Sequence, residues 1–396
     1  MLRAGSGISS AEDGIKAADE AVTQALSKAG IKQAGFLLVF GTSHYAKEYP
    51  AMLETISERA GTDQIVGCTG VGVITEEGEI EEQRALALMA VAPTEGLAVE
   101  PFLEGVAPGG EETVAAKITK ACIRRKSTSN KLLLLFPDPY KCNATRILDE
   151  LSLGVDGLSV VGAGPGESGN LGSTMGFSKL EALQHVVSGM LFDGDFTFNI
   201  GVSQACRPFA GPHTLTRVEG NRIFELDGKP ALNVLSEGIE KLKIKSHGMP
   251  TGPIFVGTEV RDDILPVKSG SYLVRSILGV DKEKGSVVVA EDTSAIKHAS
   301  FVCRDPEGAT EDLYRMLELS KKALPNPSFG IYLNCCGRGT SLYKLPSCDV
   351  NTIAEYFGDM PLIGLHGNFE LAPSYGKNRL HTYSGVLVLI SGAKSN

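Results

Sequence analysis

The sequence predicts a mixed α/β protein, with α+β layers in two domains, and three observations carry that prediction. Apolar runs of strand length end in glycine-bearing loops, and helical faces of period 3.6 lie between those runs. The order strand, loop, helix, strand, glycine loop also recurs along the chain. At 396 residues, two domains are the natural expectation. A hydrophobic fraction of 42%, a charged fraction of 21% and a mean hydropathy of +0.02 are those of a chain that folds.

The first 34 residues read as an N-terminal helix. Ser9 and Glu12 have capping-box spacing, Ile15, Ala18, Val22, Ala25 and Leu26 mark one face, and Gly30 ends it. The run Phe36 to Phe40 has the continuous apolar character of a strand buried on both faces. A polar loop through Ser43 and His44 follows, then a helix from near Pro50 with Met52, Leu53 and Ile56 inward. Ile65-Val66 enters Gly67-Cys68-Thr69-Gly70, and Ala85 to Val91 closes the unit.

A second copy runs from Leu132 to Phe136, through a helix bearing Ile147, Leu148 and Leu151, into Val160-Val161 and the glycine loop Gly162 to Gly166. The intervals Phe40 to Val66 and Phe136 to Val161 differ by one residue, so residues 36–92 and 131–204 are read as an internal duplication. A third occurrence starts at Gly330 to Leu333. Asp349 is placed to cap a helix carrying Val350, Ile353, Ala354 and Phe357, Pro361 to Gly364 is the second strand, and Val386 to Ile390 closes. The Gly220-Asn221 turn and Asp227 to Pro230 look like a hairpin end and connector, so the domains are divided as 35–228 and 229–396. A helix from Ala309 to Ala323, with Leu313, Met316 and Leu317 inward, is assigned to the second domain's core.

A net charge of −9 opposes nucleic acid and anionic membrane surfaces, and the tight basic cluster Arg124-Arg125-Lys126 reads as a solvated helix end. No apolar run approaches the roughly 20 residues of a membrane span, and the N-terminus lacks a secretory pattern. The eight cysteines show no C-x-x-C pair and no spacing that suggests zinc. They read as reduced thiols of a cytoplasmic protein, and no metal site is expected.

Cys336-Gly337-Arg338-Gly339-Thr340-Ser341-Leu342-Tyr343, followed by Gly364-Leu365-His366-Gly367-Asn368-Phe369-Glu370-Leu371-Ala372-Pro373, resembles the C-terminal signature of the FIST family. Cys303-Arg304-Asp305 and Leu380-His381 add to it. Gly67 to Gly70, Gly201 to Gln204, and Glu225 to Leu232 resemble the family's N-terminal and inter-domain motifs. The resemblance spans about residues 35 to 390. It implies a sensory module that binds a small ligand, such as an amino acid or short carboxylate, and that signals through a separate partner protein. Some relatives are connected with haem, an alternative cofactor where none is otherwise expected. Phe369 and Ala372 stand where the family commonly has glycine, so this loop is expected to bend in its own way.

The candidate ligand site is Asn334, Cys336, Gly337, Arg338, Gly339, Tyr343, His366, Asn368 and Glu370. Arg338 between glycines offers a two-point fork for a ligand carboxylate. Its alternative role is an internal ion pair with Glu370 or another carboxylate, and the two are weighed equally. Cys336 could instead be a nucleophile with His366 or His381 as base, although vicinal cysteines after a strand are mostly packing residues. Gly162 to Gly166 starts like a dinucleotide fingerprint, but Glu167 stands at the third required position and a flexible loop is the better reading. Ser43, His44 and His213 are polar candidates with no motif around them.

Overall fold

The computed structural model describes residues 2–124, 130–169, 172–246, 252–259 and 272–392; Arg125 and Lys126 of the basic cluster lie outside them. The chain forms two compact units. One comprises Met1–Val202, Tyr314–Leu380 and Ser384–Asn396, and the other Ser203–Leu313 with His381–Tyr383. The mixed α and β layers expected from the sequence are present. Strand Cys206–Glu219 pairs with Arg222–Leu226 across the Gly220-Asn221 turn and with His298–Arg304.

The first unit contains three copies of one topology. In the first copy, strands Phe36–Thr42 and Ile65–Gly70 are parallel and flank helix Tyr49–Ala60, with Leu86–Val91 returning antiparallel to Phe36–Thr42. The second copy uses Asn130–Pro137, helix Ala144–Gly154, Ser159–Ala163 and Val186–Gly194. The third uses Phe329–Cys335, helix Cys348–Phe357, Leu362–Gly367 and Ser384–Gly392. An outer strand completes each sheet beside its return strand, namely Ala4–Ser9, Leu97–Gly105 and Phe196–Gln204. The third occurrence read from the sequence is thus a full repeat.

A hairpin follows the second strand of each copy and joins the sheet of a different copy. Gly72–Thr75 of copy one pairs with Leu362–Gly367 of copy three, Gly176–Ser178 of copy two with Ile65–Gly70 of copy one, and Glu370–Ser374 of copy three with Ser159–Ala163 of copy two. The exchange is cyclic and gives three six-stranded sheets of the same order. It explains why no copy stands alone: the edge of each parallel pair is covered by a neighbour's hairpin.

Both faces of these sheets are buried, which accounts for the continuous apolar runs. Leu38, Phe40, Leu134, Phe136, Ile331 and Leu333 meet in one shared core. Their alternating neighbours point to the helices, Leu37 and Val39 onto Val22, Met52 and Ile56, and Leu133 and Leu135 onto Ile118, Ile147 and Leu151. At the register pairs Val39/Gly67, Leu135/Gly162 and Tyr332/Gly364, the glycine leaves space for its partner's carbonyl. A β-carbon on Gly67, Gly162 or Gly364 would lie 1.6, 1.8 or 1.9 Å from that oxygen. The three glycine loops therefore begin with the same packing constraint.

The N-terminus differs from expectation. Ala4–Ser9 is a strand against Leu86–Val91, and the helix begins at Gly14, capped by Asp13 accepting from Lys16 N at 2.8 Å. The segment AGSGIS has little strand propensity. It is a strand because Gly5 and Gly7 let helix Gly14–Ala29 lie directly on the backbone, where a β-carbon on Gly7 would be 2.1 Å from Ala21 O. Asp349 is likewise not a cap. It lies in the first turn of Cys348–Phe357 with its carboxylate turned inward, and Ser347 holds the capping position.

Helix Pro306–Ala323 buries Leu313, Met316 and Leu317, and its residues from Tyr314 onward belong to the first unit. In the second unit, Cys206–Glu219, His298–Arg304, Ile254–Glu259, Tyr272–Asp281, Ser286–Val289 and Arg222–Leu226 follow one another. Pairing of the first with the last closes a barrel. Ile223, Val256, Val287 and Phe301 fill it together with Ala231 and Val234 of helix Ala231–Ser246. Among the described residues no helix is long and apolar enough to cross a membrane.

Candidate functional site

The three parallel strand pairs send their C-terminal loops to a common place in the first unit. Val71 N donates to His366 O at 2.8 Å, Gly166 N to Thr69 O at 2.8 Å, and Asn368 N to Gly164 O at 2.9 Å, so each glycine loop is tied to the next. Ser43 Oγ accepts from Ser168 N at 3.1 Å, Ser168 Oγ donates to Val71 O at 3.1 Å, and Asn368 Nδ2 donates to Pro165 O at 2.7 Å. Cys336 N donates to Gly367 O at 2.8 Å. Ser43, Glu167, Ser168, Cys336 and Asn368 are half-buried here, and His44 and Tyr140 are exposed.

Tyr140 and Glu167 bind each other through hydroxyl and Oε1, and the carboxylate pushes the phenol up to about 12. Oε2 of Glu167 is buried and has no hydrogen-bond partner. The ring of Phe369 lies over Gly164, where a β-carbon would be 2.5 Å from it. Phe369 thus seats the loop, and Gly164 accommodates the ring.

The remaining sequence-derived candidates meet different partners. Arg338 is fully buried, with Nε 3.0 Å from Asp349 Oδ2 and Nη2 3.0 Å from Asp349 Oδ1. Asp349 also accepts from Tyr343 Oη at 2.8 Å, Tyr332 Oη at 2.8 Å and Asn334 Nδ2 at 3.3 Å. The fork is therefore filled by an internal carboxylate, and the partner is Asp349 rather than Glu370. Burial pushes the Asp349 carboxyl up, but Arg338 and the donor hydroxyls pull it lower, with a net shift downward. By register, Tyr332 occupies the place of Val39 and Leu135 in the other copies. At this position the third repeat carries a tyrosine hydroxyl bonded to Asp349 where the other two carry an aliphatic side chain.

Glu370 is buried with Oε2 on Ser384 Oγ at 2.6 Å, and desolvation pushes its pKa well up. His366, fully buried, turns to Glu79, with Nε2 3.7 Å from Oε2, and Glu81 lies beside them. Burial pushes the imidazole pKa down, while Glu79 and Glu81 push it up, and the net direction is up. Of the two bases considered for a Cys336 nucleophile, His366 faces two carboxylates. His381 is buried and belongs to the second unit with Thr382 and Tyr383. His213, a half-buried histidine on strand Cys206–Glu219 of the second unit, pairs with Asp227 at 2.7 Å.

Gly337 and Gly339 are buried in the turn that carries Arg338 inward, and Gly339 has φ of +54°. Sequence reading missed Tyr140, Glu79, Glu81 and Asp349 as site groups. The alternation Glu79/Glu81 on a strand was the available signal for one face, and Asp349 was mistaken for a cap because its position suits both roles.

A family model described as the FIST N domain matches residues 35–229, and one described as the FIST C domain matches residues 231–373. The chain belongs to the FIST family. FIST domains are sensory and signal-transduction domains, and this FIST chain carries both the N and the C domain. It is 27% identical over 390 residues to uncharacterized proteins of Mycobacterium bovis and Mycobacterium tuberculosis, covering 98% of each chain. Another uncharacterized M. tuberculosis protein is 26% identical, over 98% of this chain and 99% of its own. A crystal structure of cyanuric acid hydrolase from A. caulinodans is matched at 13% identity over 48% of this FIST chain and 70% of that one, with a TM-score of 0.26. A score this low bears on neither fold nor activity.

Proposed function

We propose that this FIST protein senses a small polar ligand of the amino-acid class at the meeting point of the three glycine loops. The observation that carries this reading is the buried, unpartnered Oε2 of Glu167 among half-buried polar groups supplied by all three repeats. A buried carboxylate oxygen without a donor is unfavourable, and a ligand ammonium would satisfy it. Ser43, His44 and Asn368 add hydroxyl, imidazole and amide groups for the polar remainder of such a ligand. The ends of parallel strands are a frequent place for ligands, because loops there are held by a rigid sheet. Arg338 is not part of this reading, since its guanidinium is committed to Asp349. A separate signalling partner that reads the ligand-bound state is part of the same proposal.

Titration calorimetry of the full chain against the amino acids and short carboxylates tests the proposal. Binding by at least one amino acid, weakened tenfold or more by Glu167→Gln and by Asn368→Ala, is the expected result. Binding unchanged in both variants, or no heat with any compound, overturns it.

A further inference from the structure

We propose that Glu79, Glu81 and His366 form a binding site for one divalent first-row transition metal ion. The three residues lie on the two strands of the third sheet that flank Gly72–Thr75, His366 on Leu362–Gly367 and both glutamates on Gly78–Glu81. His366 is in register with Gly72 and Gly72 with Glu81, so histidine and glutamate stand on either side of a residue that has no side chain. A β-carbon on Gly72 would come within 2.9 Å of Glu81 Cα and 3.1 Å of its Cγ. Glu79, two residues from Glu81, projects from the same face. One ligand atom from each of the three lies within 4.8 Å of the others.

The unsatisfied chemistry points to a cation. His366 is fully buried, and neither ring nitrogen has a hydrogen-bond partner. Its Nε2 stands 3.7 Å from Glu79 Oε2, too far for a hydrogen bond. The Glu79 side chain is 1% exposed and its Oε1 is unpartnered. A buried imidazole and a buried carboxylate side chain without donors, beside the half-buried carboxylate of Glu81, are stabilised by a doubly charged ion, which replaces the missing donors with coordinate bonds. Adjacent ligand atoms around such an ion are roughly 3 to 3.5 Å apart, so modest side-chain rotation would close the set.

Surrounding groups orient the carboxylates. Thr340 N and Oγ1 donate to the two oxygens of Glu81 at 2.9 and 3.1 Å, and Ser347 N donates to Glu79 Oε2 at 3.3 Å. Such outer contacts fix ligand direction at metal sites. A cavity of about 390 Å³, lined by Ser10, Glu79, Glu81, Thr340 and Pro346, gives an entry path and room for water on the open positions. One imidazole with two carboxylates suits zinc, manganese or cobalt better than calcium or magnesium, which prefer all-oxygen sets. The proposal is independent of the ligand reading at Glu167.

The test is equilibrium dialysis of chelator-stripped full-length protein against Zn²⁺, Mn²⁺ and Co²⁺, with metal content measured per chain. One equivalent is expected, together with a raised thermal midpoint and Co²⁺ absorption bands of nitrogen-containing coordination. Glu81→Gln should weaken binding at least tenfold, and His366→Gln should abolish both the binding and the Co²⁺ bands. Glu82→Gln, which lines the same cavity outside the cluster, should leave them unchanged. If His366→Gln does not fold, the Glu81→Gln affinity and the wild-type Co²⁺ spectrum decide. Less than a tenth of an equivalent on the wild type, a spectrum without nitrogen coordination, or unchanged affinity in Glu81→Gln overturns the proposal.

Discussion

Arg338 and Asp349 form a closed two-point ion pair, Nε to Oδ2 and Nη2 to Oδ1 both at 3.0 Å, with neither side chain more than 2% exposed. Tyr332 and Tyr343 complete the carboxylate's bonds and hold helix Cys348–Phe357 against strand Phe329–Cys335. Removing one partner leaves a buried charge unopposed. Asp349→Asn should destabilise the protein by about 3 to 5 kcal/mol, read as a fall in the urea midpoint. Replacing both residues together, with Arg338→Met and Asp349→Leu, should be markedly less harmful than either single change.

Gly364 has no room for even one methyl group. A β-carbon there would meet the Tyr332 carbonyl oxygen at 1.9 Å, and both atoms are fixed in paired strands. Gly364→Ala should therefore cost roughly 3 kcal/mol or more. Gly67→Ala and Gly162→Ala should behave alike, because they repeat the geometry in the other copies. Gly279→Ala, with nothing within 4 Å of the new carbon, should change the unfolding midpoint little.

Glu370 gives stability a pH dependence of defined sign. Burial raises its folded-state pKa well above the value near 4.3 of the unfolded chain, so the native state keeps a proton that the unfolded state releases. Its contribution to stability is full below about pH 4.3 and declines as pH rises toward the folded pKa. Glu370→Gln carries no titrating group, and its urea midpoint should fall less than that of the wild type between pH 5 and pH 8.

Thiol reactivity should be graded by burial. Cys68 is fully buried and desolvation pushes its pKa well up; Cys142 and Cys303 are half-buried and pushed to about 12 and about 11. The thiolate is the reacting form. At pH 8, mass spectrometry after brief iodoacetamide treatment should show Cys68 unmodified. Cys142 and Cys303 should be alkylated at least a hundredfold more slowly in the native protein than in the protein unfolded in urea.

Much of the fold was legible because its strands are buried on both faces. Phe36 to Phe40, Leu132 to Phe136 and Val386 to Ile390 were found from apolar content alone, and Met52, Leu53, Ile56, Ile147, Leu148 and Leu151 lie inward as their periodicity required. The first strand was not legible, since Gly5 and Gly7 suit it only through contact with a helix. The candidate site was legible as a set of loops and not as a set of contacts. Arg338 was found, with ligand and internal carboxylate left as alternatives, but its partner sits in a helix where a capping role looked equally sound.

By itself the sequence determined the α/β class, the repeated units and the glycine loops, because local periodicity and spacing encode these directly; the FIST resemblance rested on the motif residues Cys336–Tyr343 and Gly364–Pro373. Tertiary structure alone decided the cyclic exchange of hairpins, the burial of Arg338 on Asp349, and the meeting of His366 with Glu79 and Glu81. Each of these depends on pairing between distant segments: Gly72 joins Leu362–Gly367 only when three sheets share one core, and no local pattern specifies that partner.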